Sequence, residues 1–308
     1  MALAYRNNMN KTVTIINTKD RPTELAMLLQ SLLTQTRQDF DILILDDASK
    51  IPIEQYHFLR CIITRLKQTD HKVFIKRTMY SEGVVKARQK IVDWARSMPF
   101  KWEYYLRLDD DVILEEDYYE SLIDVIEDEG YDMASGITVP MAQPTPKRST
   151  KELHGVINRI ILKEDGTYLW NGDDCGIEYE EAETLPAHHF RSCALYKAKI
   201  HDKVKYYPCP LSQKHGFREE QFFSYKLQQA GYTIGVDTGA ITWHQMTPSG
   251  GERTNTNPAN IQFNQEQLEA YTIMHKEELT KIFNSTGPQW NPTKLNLQKR
   301  SNLTMKPK

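Results

Sequence analysis

The chain contains 308 residues and has a formal net charge of -2, with 40% hydrophobic and 26% charged residues. A chain of this length can bury a sizeable core, and its composition is ordinary for a soluble globular protein. The near-zero net charge excludes a global electrostatic argument for binding to nucleic acid or to a membrane surface.

Neither the N-terminus nor the cysteines indicate secretion or membrane insertion. No apolar run approaches the length needed to cross a bilayer, and the first residues lack the apolar core of a signal peptide. The four cysteines have no C-x-x-C spacing, so they predict neither a zinc site nor a disulfide framework. We therefore expect a soluble cytoplasmic protein.

The first half of the chain alternates strand-like and helix-like segments. The expected strands, judged by short apolar runs, span residues 12–16, 40–45, 73–75 and 104–108. Apolar residues at helical spacing predict four helices. The first follows Pro22, and the others span residues near 53–67, 83–95 and 118–129. This alternation predicts a mostly parallel sheet that binds ligands at the carboxyl ends of its strands.

Polar residues follow three of these strands. They are the segment from Thr18 to Arg21, the pair Asp46-Asp47, and the triplet Asp109-Asp110-Asp111. Because the carboxyl ends of parallel strands meet at one edge of a sheet, we expect these groups to converge.

The acidic triplet has two interpretations. Asp109 and Asp111 can offer hard oxygen ligands from one side of a turn, which suits Mg²⁺ or Mn²⁺. Alternatively, the triplet is a solvated acidic turn, and the acidic residues after it favour the first turn of the next helix. The convergence of the other polar groups favours the cation site.

The second half of the chain is less regular. Prolines, a basic run and a hairpin-like pattern interrupt residues 131–207, and residues 217–230 are predicted to be helical up to Gly231. Two short strands are expected at 232–236 and 240–243, ending at His244. A Gly/Thr/Asn/Pro-rich segment that could fold over a ligand follows, and then a final helix at 265–283.

Five short motifs in order resemble the family 2 glycosyltransferases, which have the GT-A fold. They are Thr18-Lys19-Asp20-Arg21-Pro22, Asp46-Asp47-Ala48-Ser49, the segment from Gly83 to Ala87-Arg88, Asp109-Asp110-Asp111, and Glu219-Glu220-Gln221-Phe222-Phe223. Gly231-Tyr232 and Trp243-His244 resemble the segments that close the site. Ala48 stands where glycine is more usual, and Gln89 stands in place of the usual asparagine.

The resemblance covers residues 13–244 apart from the unmatched region 142–188. It implies an α/β fold with a GT-A-like, mostly parallel central sheet flanked by helices, an inserted acceptor-side region and a C-terminal helical extension. We expect a disordered leader or tag remnant at 1–10 and a GT-A domain at 11–246 with its insertion at about 142–188. A flexible loop, a helix and a basic tail are expected at 247–308.

The family resemblance implies a metal-dependent, inverting transfer of a single sugar from a nucleotide-diphosphate sugar, with UDP-sugars as the expected donors. The resemblance assigns Mn²⁺ or Mg²⁺ to Asp109, Asp111 and His244, where a structural histidine is the alternative for His244. The donor-binding residues that it implies are Thr18, Arg21, Asp46, Arg88, Asp109 and Asp110.

The acceptor hydroxyl must lose a proton as it attacks, so a carboxylate has to lie within hydrogen-bond reach. Motif position favours Glu220 as this base, and Glu219 remains an alternative. Glutamate at the second position departs from the commoner aspartate.

Two rival functions and several acceptors remain open at the level of sequence. A nucleotidyltransferase of related fold would be expected to carry a Gly-rich basic loop after the first strand, where this chain offers only Lys19 and Arg21. A non-catalytic nucleotide-sugar-binding module would not need the acidic residues that this chain retains. The acceptor could be a glycan, a small molecule or a hydroxylated DNA base, and the basic tail would suit phosphate contacts.

Overall fold

The structure is a computed structural model that describes residues 10–142, 161–162, 168–169, 182–212, 216–247, 250–251 and 257–285. Several sequence predictions lie outside the described residues. These are the leader, most of the insertion at about 142–188, half of the Gly/Thr/Asn/Pro-rich segment, and the basic tail.

The described strands include nine that form one sheet, in the order β3-β2-β1-β4-β10-β6-β11-β5 with β9 paired to β11. In chain order they are β1 (Thr12–Thr18), β2 (Phe40–Asp46), β3 (Val73–Arg77), β4 (Tyr104–Asp109), β5 (Val112–Leu114), β6 (Met133–Pro140), β7 (Ile161–Leu162), β8 (Tyr168–Leu169), β9 (Thr184–Pro186), β10 (Ala194–Lys197) and β11 (Ile234–His244). The short strands β7 and β8 pair with each other as an antiparallel ribbon within the predicted hairpin region.

The described helices lie on both faces of the sheet, and the last two of them pack against the helix that precedes them. They are α1 (Pro22–Leu33), α2 (His57–Gln68), α3 (Val84–Ser97), α4 (Tyr118–Glu127), α5 (Glu219–Gln229), α6 (Pro258–Met274) and α7 (Lys276–Ser285). Short 3₁₀ helices occupy Ile53–Gln55 and Ala198–Asp202.

The first half of the sheet is parallel, as the alternation of strands and helices predicts. Strands β3, β2, β1 and β4 run in one direction, and the register places Thr18 beside Asp46 and Asn17 beside Asp109. The ends of three strands therefore meet at one edge, which confirms the expected convergence of the polar groups.

The second half of the sheet is mixed. Strand β10 lies antiparallel between β4 and β6, and β11 runs parallel to β6 but antiparallel to β5 and β9. Most strands still share one direction, because only β10, β5 and β9 run opposite to it. The mixture brings the end of β11 beside the turn that follows β4.

Two hydrophobic clusters cover the two faces of the sheet. Alternate residues of each strand divide between them: Ile16 and Ile44 belong to the cluster under α1, α2 and α4, whereas Ile15 and Leu43 belong to the cluster under α3 and α5. This is the period of two that a strand buried on both faces requires. The continuous apolar runs in the sequence follow from burial on both faces.

Two elements differ from their sequence predictions. The two short strands expected at 232–236 and 240–243 form one strand, β11, whose register shifts between Val236 and Ile241. The predicted gap is thus an irregularity inside one strand, where glycine and aspartate interrupt the apolar pattern.

The expected final helix is two helices with a break at His275. Helix α6 begins earlier than predicted because Pro258 occupies its first turn and the Asn257 side chain accepts a hydrogen bond from the backbone N–H of Ala259 at 2.9 Å. Both helices pack against α5 through a third cluster that includes Phe222, Leu268 and Leu279.

None of the helices within the described part of the chain combines the length and the apolar character that crossing a membrane would require.

Candidate active site

The candidate site is a cleft of about 780 Å³ at the carboxyl ends of the parallel strands. One half is formed by the ends of β1 and β2 and by the start of α3. The other half is formed by the end of β6, the segment before β10 and the start of α5, and the acidic triplet after β4 lies in the cleft as well. Its volume is in the range that small-molecule sites occupy.

One hydroxyl and two guanidinium groups hold the acidic triplet in place. Thr18 Oγ1 donates to Asp110 Oδ2 at 2.8 Å, and Arg21 Nη1 lies 3.0 Å from Asp110 Oδ1 and 3.1 Å from Asp111 Oδ2. Arg88 Nη2 donates to Asp109 Oδ1. These pairings relieve the repulsion between three adjacent carboxylates, which burial would otherwise strengthen.

Burial perturbs the central residue of the triplet. It raises the pKa of Asp110 to about 6, and Asp111 adds to this effect, while Arg21 and the Thr18 hydroxyl oppose it. For Arg21, burial works to lower the pKa, but attraction to Asp110 and Asp111 more than compensates and leaves that pKa raised. The two groups therefore form a tightly coupled, buried ion pair.

Asp109, Asp111 and His244 can offer ligand atoms that all lie within 4.8 Å of one another. The fold brings His244 here because β11 pairs with β5, which sets His244 opposite Val112, and because Gln245 N donates to Asp111 O at 2.9 Å. His244 Nε2 then lies 3.2 Å from Asp111 Oδ1. Two carboxylates and an imidazole form a donor set that suits Mn²⁺ or a similar divalent ion.

A second acidic pair begins α5. Arg107, which is completely buried in β4, donates through Nη2 to Glu219 Oε1 and to Glu220 Oε1, the latter at 3.2 Å. Arg88 Nε lies 3.7 Å from Glu219 Oε1. The rings of Phe190 and Tyr206 lie near the Arg107 guanidinium, at 5.0 and 5.6 Å.

The two glutamates have different environments. The side chain of Glu219 is only 3% exposed, whereas that of Glu220 is 25% exposed and lines the cleft. Burial raises the pKa of Glu219 to about 7, although Arg107 and Arg88 oppose the shift. For Arg107, burial acts to lower the pKa. The attraction to nearby anionic groups, chiefly Glu219, outweighs burial and leaves the pKa of Arg107 well above its usual value.

The structure separates the two aspartates that follow β2. Asp46 is not among the cleft residues, and its carboxylate accepts from Ser49 N at 2.8 Å and Ile53 N at 3.3 Å, with Arg77 Nε at 3.5 Å. The oxygens of Asp46 thus hold the turn, and its expected contact with the donor stays a prediction. The neighbouring Asp47 lines the cleft instead.

Asp47 is held rigidly on the half of the cleft that β1, β2 and α3 form. Its carboxylate accepts from the hydroxyls of Thr78 at 3.1 Å and Ser81 at 2.8 Å, and from the backbone N–H of Glu82 at 2.9 Å. The same interactions tie the segment before α3 to the end of β2.

The other predicted site residues come together in this cleft. Thr18, Arg21, Arg88, Asp109, Asp110, Asp111, Glu219, Glu220 and His244 all line it. The site residues assigned from the sequence did not include Arg107, Asp47 or Arg191, although Asp47 belongs to one of the polar groups that were expected to converge here. For Arg107 a signal was present, because a charged residue between Leu106 and Leu108 in an apolar strand must be paired when buried.

Comparisons with known proteins agree with this architecture. The family model described as Glycosyl transferase family 2 matches residues 13–204, which is more than half of the chain. No curated protein sequence matches the chain significantly.

Solved structures with little sequence identity share the fold. A crystal structure of GalNAc-T7 with UDP, GalNAc and Mn²⁺ aligns with a TM-score of 0.59 and 13% identity, covering 92% of this chain and 59% of that one. A crystal structure of S. aureus TarS 1–349 in complex with UDP-GlcNAc aligns with a TM-score of 0.58 and 14% identity, covering 89% of this chain and 70% of that one. The chain thus spans less than two thirds of the length of the GalNAc-T7 structure.

The family match accounts for the order of the motifs, and the sheet with its cleft has the GT-A architecture of these structures. The chain therefore belongs to glycosyl transferase family 2.

Proposed function

We propose that this protein is a metal-dependent, inverting glycosyltransferase that moves a single sugar from a UDP-sugar to a hydroxyl acceptor. The observation that carries the proposal is the presence, in one cleft, of a partly exposed carboxylate and a group of potential cation ligands. The carboxylate is Glu220, and the potential ligands are Asp109, Asp111 and His244. UDP as the nucleotide is supported by the structures of similar fold, which contain UDP or UDP-GlcNAc.

The nucleotide half of the cleft offers the polar groups that a donor requires. Asp47 can accept from an N–H group of the base or a hydroxyl of the ribose, and it replaces Asp46 in this role. Arg21 and Arg88 lie near the position where a diphosphate would meet the acidic triplet, and guanidinium groups suit phosphate oxygens. Thr18 and Asp110 orient Arg21 through their shared contacts.

Asp109, Asp111 and His244 would hold the divalent ion, and its chemistry would be to neutralise negative charge on the leaving diphosphate. The donor set fits because two hard carboxylates are combined with an imidazole whose Nε2 faces Asp111. Arg88 pairs with Asp109 and Arg21 with Asp111, so both carboxylates are held in place at the edge of the sheet.

In the proposed reaction the acceptor oxygen attacks the anomeric carbon from the face opposite the diphosphate. The acceptor O–H bond breaks and its proton passes to the Glu220 carboxylate, while the bond between the anomeric carbon and the diphosphate oxygen breaks. The electron pair of that bond leaves with the diphosphate. Attack from the opposite face inverts the configuration of the sugar.

The environments of the two glutamates support different roles. Glu220 reaches the cleft and keeps one contact with Arg107, so it can meet an acceptor hydroxyl. Glu219 is buried between Arg107 and Arg88. We assign Glu219 to positioning, because its oxygens are occupied by these arginines.

The donor site is tested by thermal unfolding with UDP, GDP, CDP and ADP, each with and without Mn²⁺. We expect UDP with Mn²⁺ to raise Tm, because ligands that bind only the folded state stabilise it by RT ln(1 + [L]/Kd). Asp111→Asn should abolish the part of the shift that needs Mn²⁺. Absence of a shift with every nucleotide would refute the donor site.

A further inference from the structure

Arg191 is a cation of the cleft that has no role in the proposed handling of the donor. The side chain of Arg191 is exposed and lines the cleft. Within the described part of the chain, no ion pair or hydrogen bond engages its guanidinium group. An arginine that no carboxylate neutralises is available for an anionic ligand.

The backbone that presents Arg191 is fixed. Its carbonyl oxygen accepts from Cys193 N at 2.7 Å and from Thr138 Oγ1 at 3.4 Å, and Ser192 between them adopts a φ of 57°. The preceding Phe190 is fully buried, and its N–H donates to Ser224 Oγ at 3.4 Å. A short turn, held on both sides, therefore carries the guanidinium into the cleft and leaves only the side chain free to move.

The six carboxylates that the described residues contribute to the cleft all have partners other than Arg191. Asp109 pairs with Arg88, Asp110 and Asp111 pair with Arg21, and Glu219 and Glu220 pair with the buried Arg107. Asp47 is satisfied by hydroxyls and backbone N–H groups. None of these acidic groups depends on Arg191 for its charge balance, so the position of Arg191 is not explained by neutralisation of the protein itself.

The position of Arg191 relative to the strands shows which half of the cleft it lines. The nucleotide-side residues come from β1, β2 and α3, whereas Arg191 lies just before β10, on the wall that β6 and the start of α5 complete. Glu220 lies at the start of α5 on the same wall. Because the base must reach the acceptor hydroxyl, this wall faces the acceptor.

A second arginine adds positive charge to this wall. Arg218 precedes α5 and lines the cleft, and it donates to the amide oxygens of Gln221 at 3.0 Å and Gln265 at 2.8 Å. Burial lowers the pKa of Arg218, and repulsion from Arg191 contributes to the same direction. Two guanidinium groups near enough to repel each other would gain from an anion placed between them or beside Arg191.

We propose that Arg191 binds an anionic group of the acceptor, a phosphate or a carboxylate, and so selects a negatively charged hydroxyl acceptor. This inference rests on the proposed function, since it uses Glu220 to locate the acceptor. It narrows the acceptor from any hydroxyl compound to one with an anion near the reacting hydroxyl. Arginine suits this role because its planar fork can donate two parallel hydrogen bonds to either group.

The test uses the full chain with its donor site filled by UDP and Mn²⁺, followed by calorimetric titration with methyl phosphate or with acetate. We expect the wild-type complex to bind at least one of these probes. Arg191→Gln should weaken that binding about tenfold or more, in keeping with the loss of a charge-assisted hydrogen bond, while Arg191→Lys should weaken it less. The two probes distinguish a phosphate site from a carboxylate site.

The matched control is Arg96→Gln, which removes an exposed arginine that pairs with Asp202 at 2.7 Å and does not line the cleft. It should bind both probes as the wild type does. Equal binding by Arg191→Gln and the wild type would overturn the inference, as would binding of neither probe by the wild type.

A separate titration with UDP and Mn²⁺ distinguishes the acceptor from the donor as the source of the anion. Arg191→Gln should bind UDP with unchanged affinity. A loss of UDP affinity in this variant would assign Arg191 to the donor diphosphate and overturn the acceptor role. If the wild type does not bind UDP at all, the proposed function fails, and methyl phosphate added to the free protein still tests Arg191.

Discussion

At the scale of single residues, the site contains buried charges that are stable only because each is paired with an opposite charge. Arg107 has no exposed surface, and it contacts both carboxylates that begin α5. An unpaired guanidinium at this depth would be strongly destabilising, because its desolvation would not be compensated. Arg107 therefore couples the stability of β4 to the placement of Glu219 and Glu220.

The distinction between the two glutamates can be measured. Glu220→Gln should reduce kcat by about 10² to 10⁴, the range that general-base catalysis contributes, while the affinity for UDP with Mn²⁺ stays unchanged. The comparison is made by initial rates of UDP release and by calorimetry. Normal turnover by this variant would exclude Glu220 as the base.

Glu219→Gln serves as the matched variant, with the same chemical change at the adjacent position. It removes the buried charge that faces Arg107 and Arg88, so we expect a lower free energy of unfolding, by about 3 kcal/mol. Urea unfolding measures this loss. An equal loss of stability in Glu220→Gln would contradict the assignment of Glu219 as the structural partner.

Histidine titration is expected to make the fold acid-sensitive. His201 is buried among aromatic rings, its Nδ1 lies 3.0 Å from Val204 O, and burial lowers its pKa to about 4. The usual pKa of histidine is near 6.5. As the pH falls from 6.5 to 4, His201 therefore binds a proton in the unfolded chain but stays neutral in the folded chain. This group should then reduce the free energy of unfolding by up to about 3 kcal/mol.

Urea unfolding at several pH values between 7 and 4.5 measures this effect. His201→Gln should show a weaker dependence on pH than the wild type over this window, although the variant is less stable at pH 7. The buried His189, whose pKa burial lowers to about 3, supplies a remaining slope. Identical pH dependence in the wild type and His201→Gln would contradict the role of His201.

At the scale of elements, the C-terminal helices support the start of α5. Asn264 of α6 is fully buried, its Oδ1 accepts from Ser212 N at 2.6 Å, and its Nδ2 donates to Phe217 O at 3.0 Å. Arg218 is held to the same helix through Gln265. The extension therefore positions the segment from which Glu219 and Glu220 project.

Replacement of this buried amide should loosen the segment. We expect Asn264→Leu to lower the free energy of unfolding by about 2 kcal/mol, because two partly buried backbone groups lose their partner. It should also reduce kcat more than it changes the affinity for UDP, because α6 supports the start of α5 and contributes no residue to the described lining of the cleft. Initial rates and urea unfolding measure both effects.

Gln262→Ala on the same helix is the control, since Gln262 makes only an exposed hydrogen bond to Glu266 at 2.8 Å. It should leave both stability and kcat close to those of the wild type. Wild-type kcat in Asn264→Leu would show that α6 does not position the start of α5.

At the scale of the whole molecule, one sheet links two hydrophobic clusters. Leu122 belongs to the cluster on one face and Ile91 to the cluster on the other, and neighbouring residues of each strand contribute to both. Because every central strand belongs to both clusters, neither face can lose its packing while the other stays intact. We infer that the domain unfolds cooperatively.

Leu122→Ala and Ile91→Ala should each destabilise the protein by about 2 to 5 kcal/mol, the usual cost of such a cavity. Each variant should keep a single unfolding transition that is the same by far-UV circular dichroism and by tryptophan fluorescence, to which the buried Trp102 contributes. Separate transitions by the two probes in either variant would refute the coupling between the faces.

Much of this architecture follows from local sequence patterns. The alternation of short apolar runs with helical periodicity predicts β1 to β4 and α1 to α4, because burial on a sheet or helix face imposes those periods over a few residues. The rule that parallel strands share an edge then predicts that Thr18, Asp47 and Asp109 meet. Motif order predicts the family, and the family model confirms it.

The remaining features required the tertiary structure. Arg107 and Glu219 are 112 residues apart in sequence and pair only because α5 packs over β4. Whether Asp46 or Asp47 lines the cleft depends on which of the two carboxylates accepts hydrogen bonds from the following turn. The antiparallel strands β10, β5 and β9 carry no local signal of their direction, because direction is set by pairing between distant segments. Sequence by itself determined β1 to β4, α1 to α4, the family and most candidate residues. Long-range packing decided the remaining elements and the partners and exposure of the candidate residues, and hence their roles.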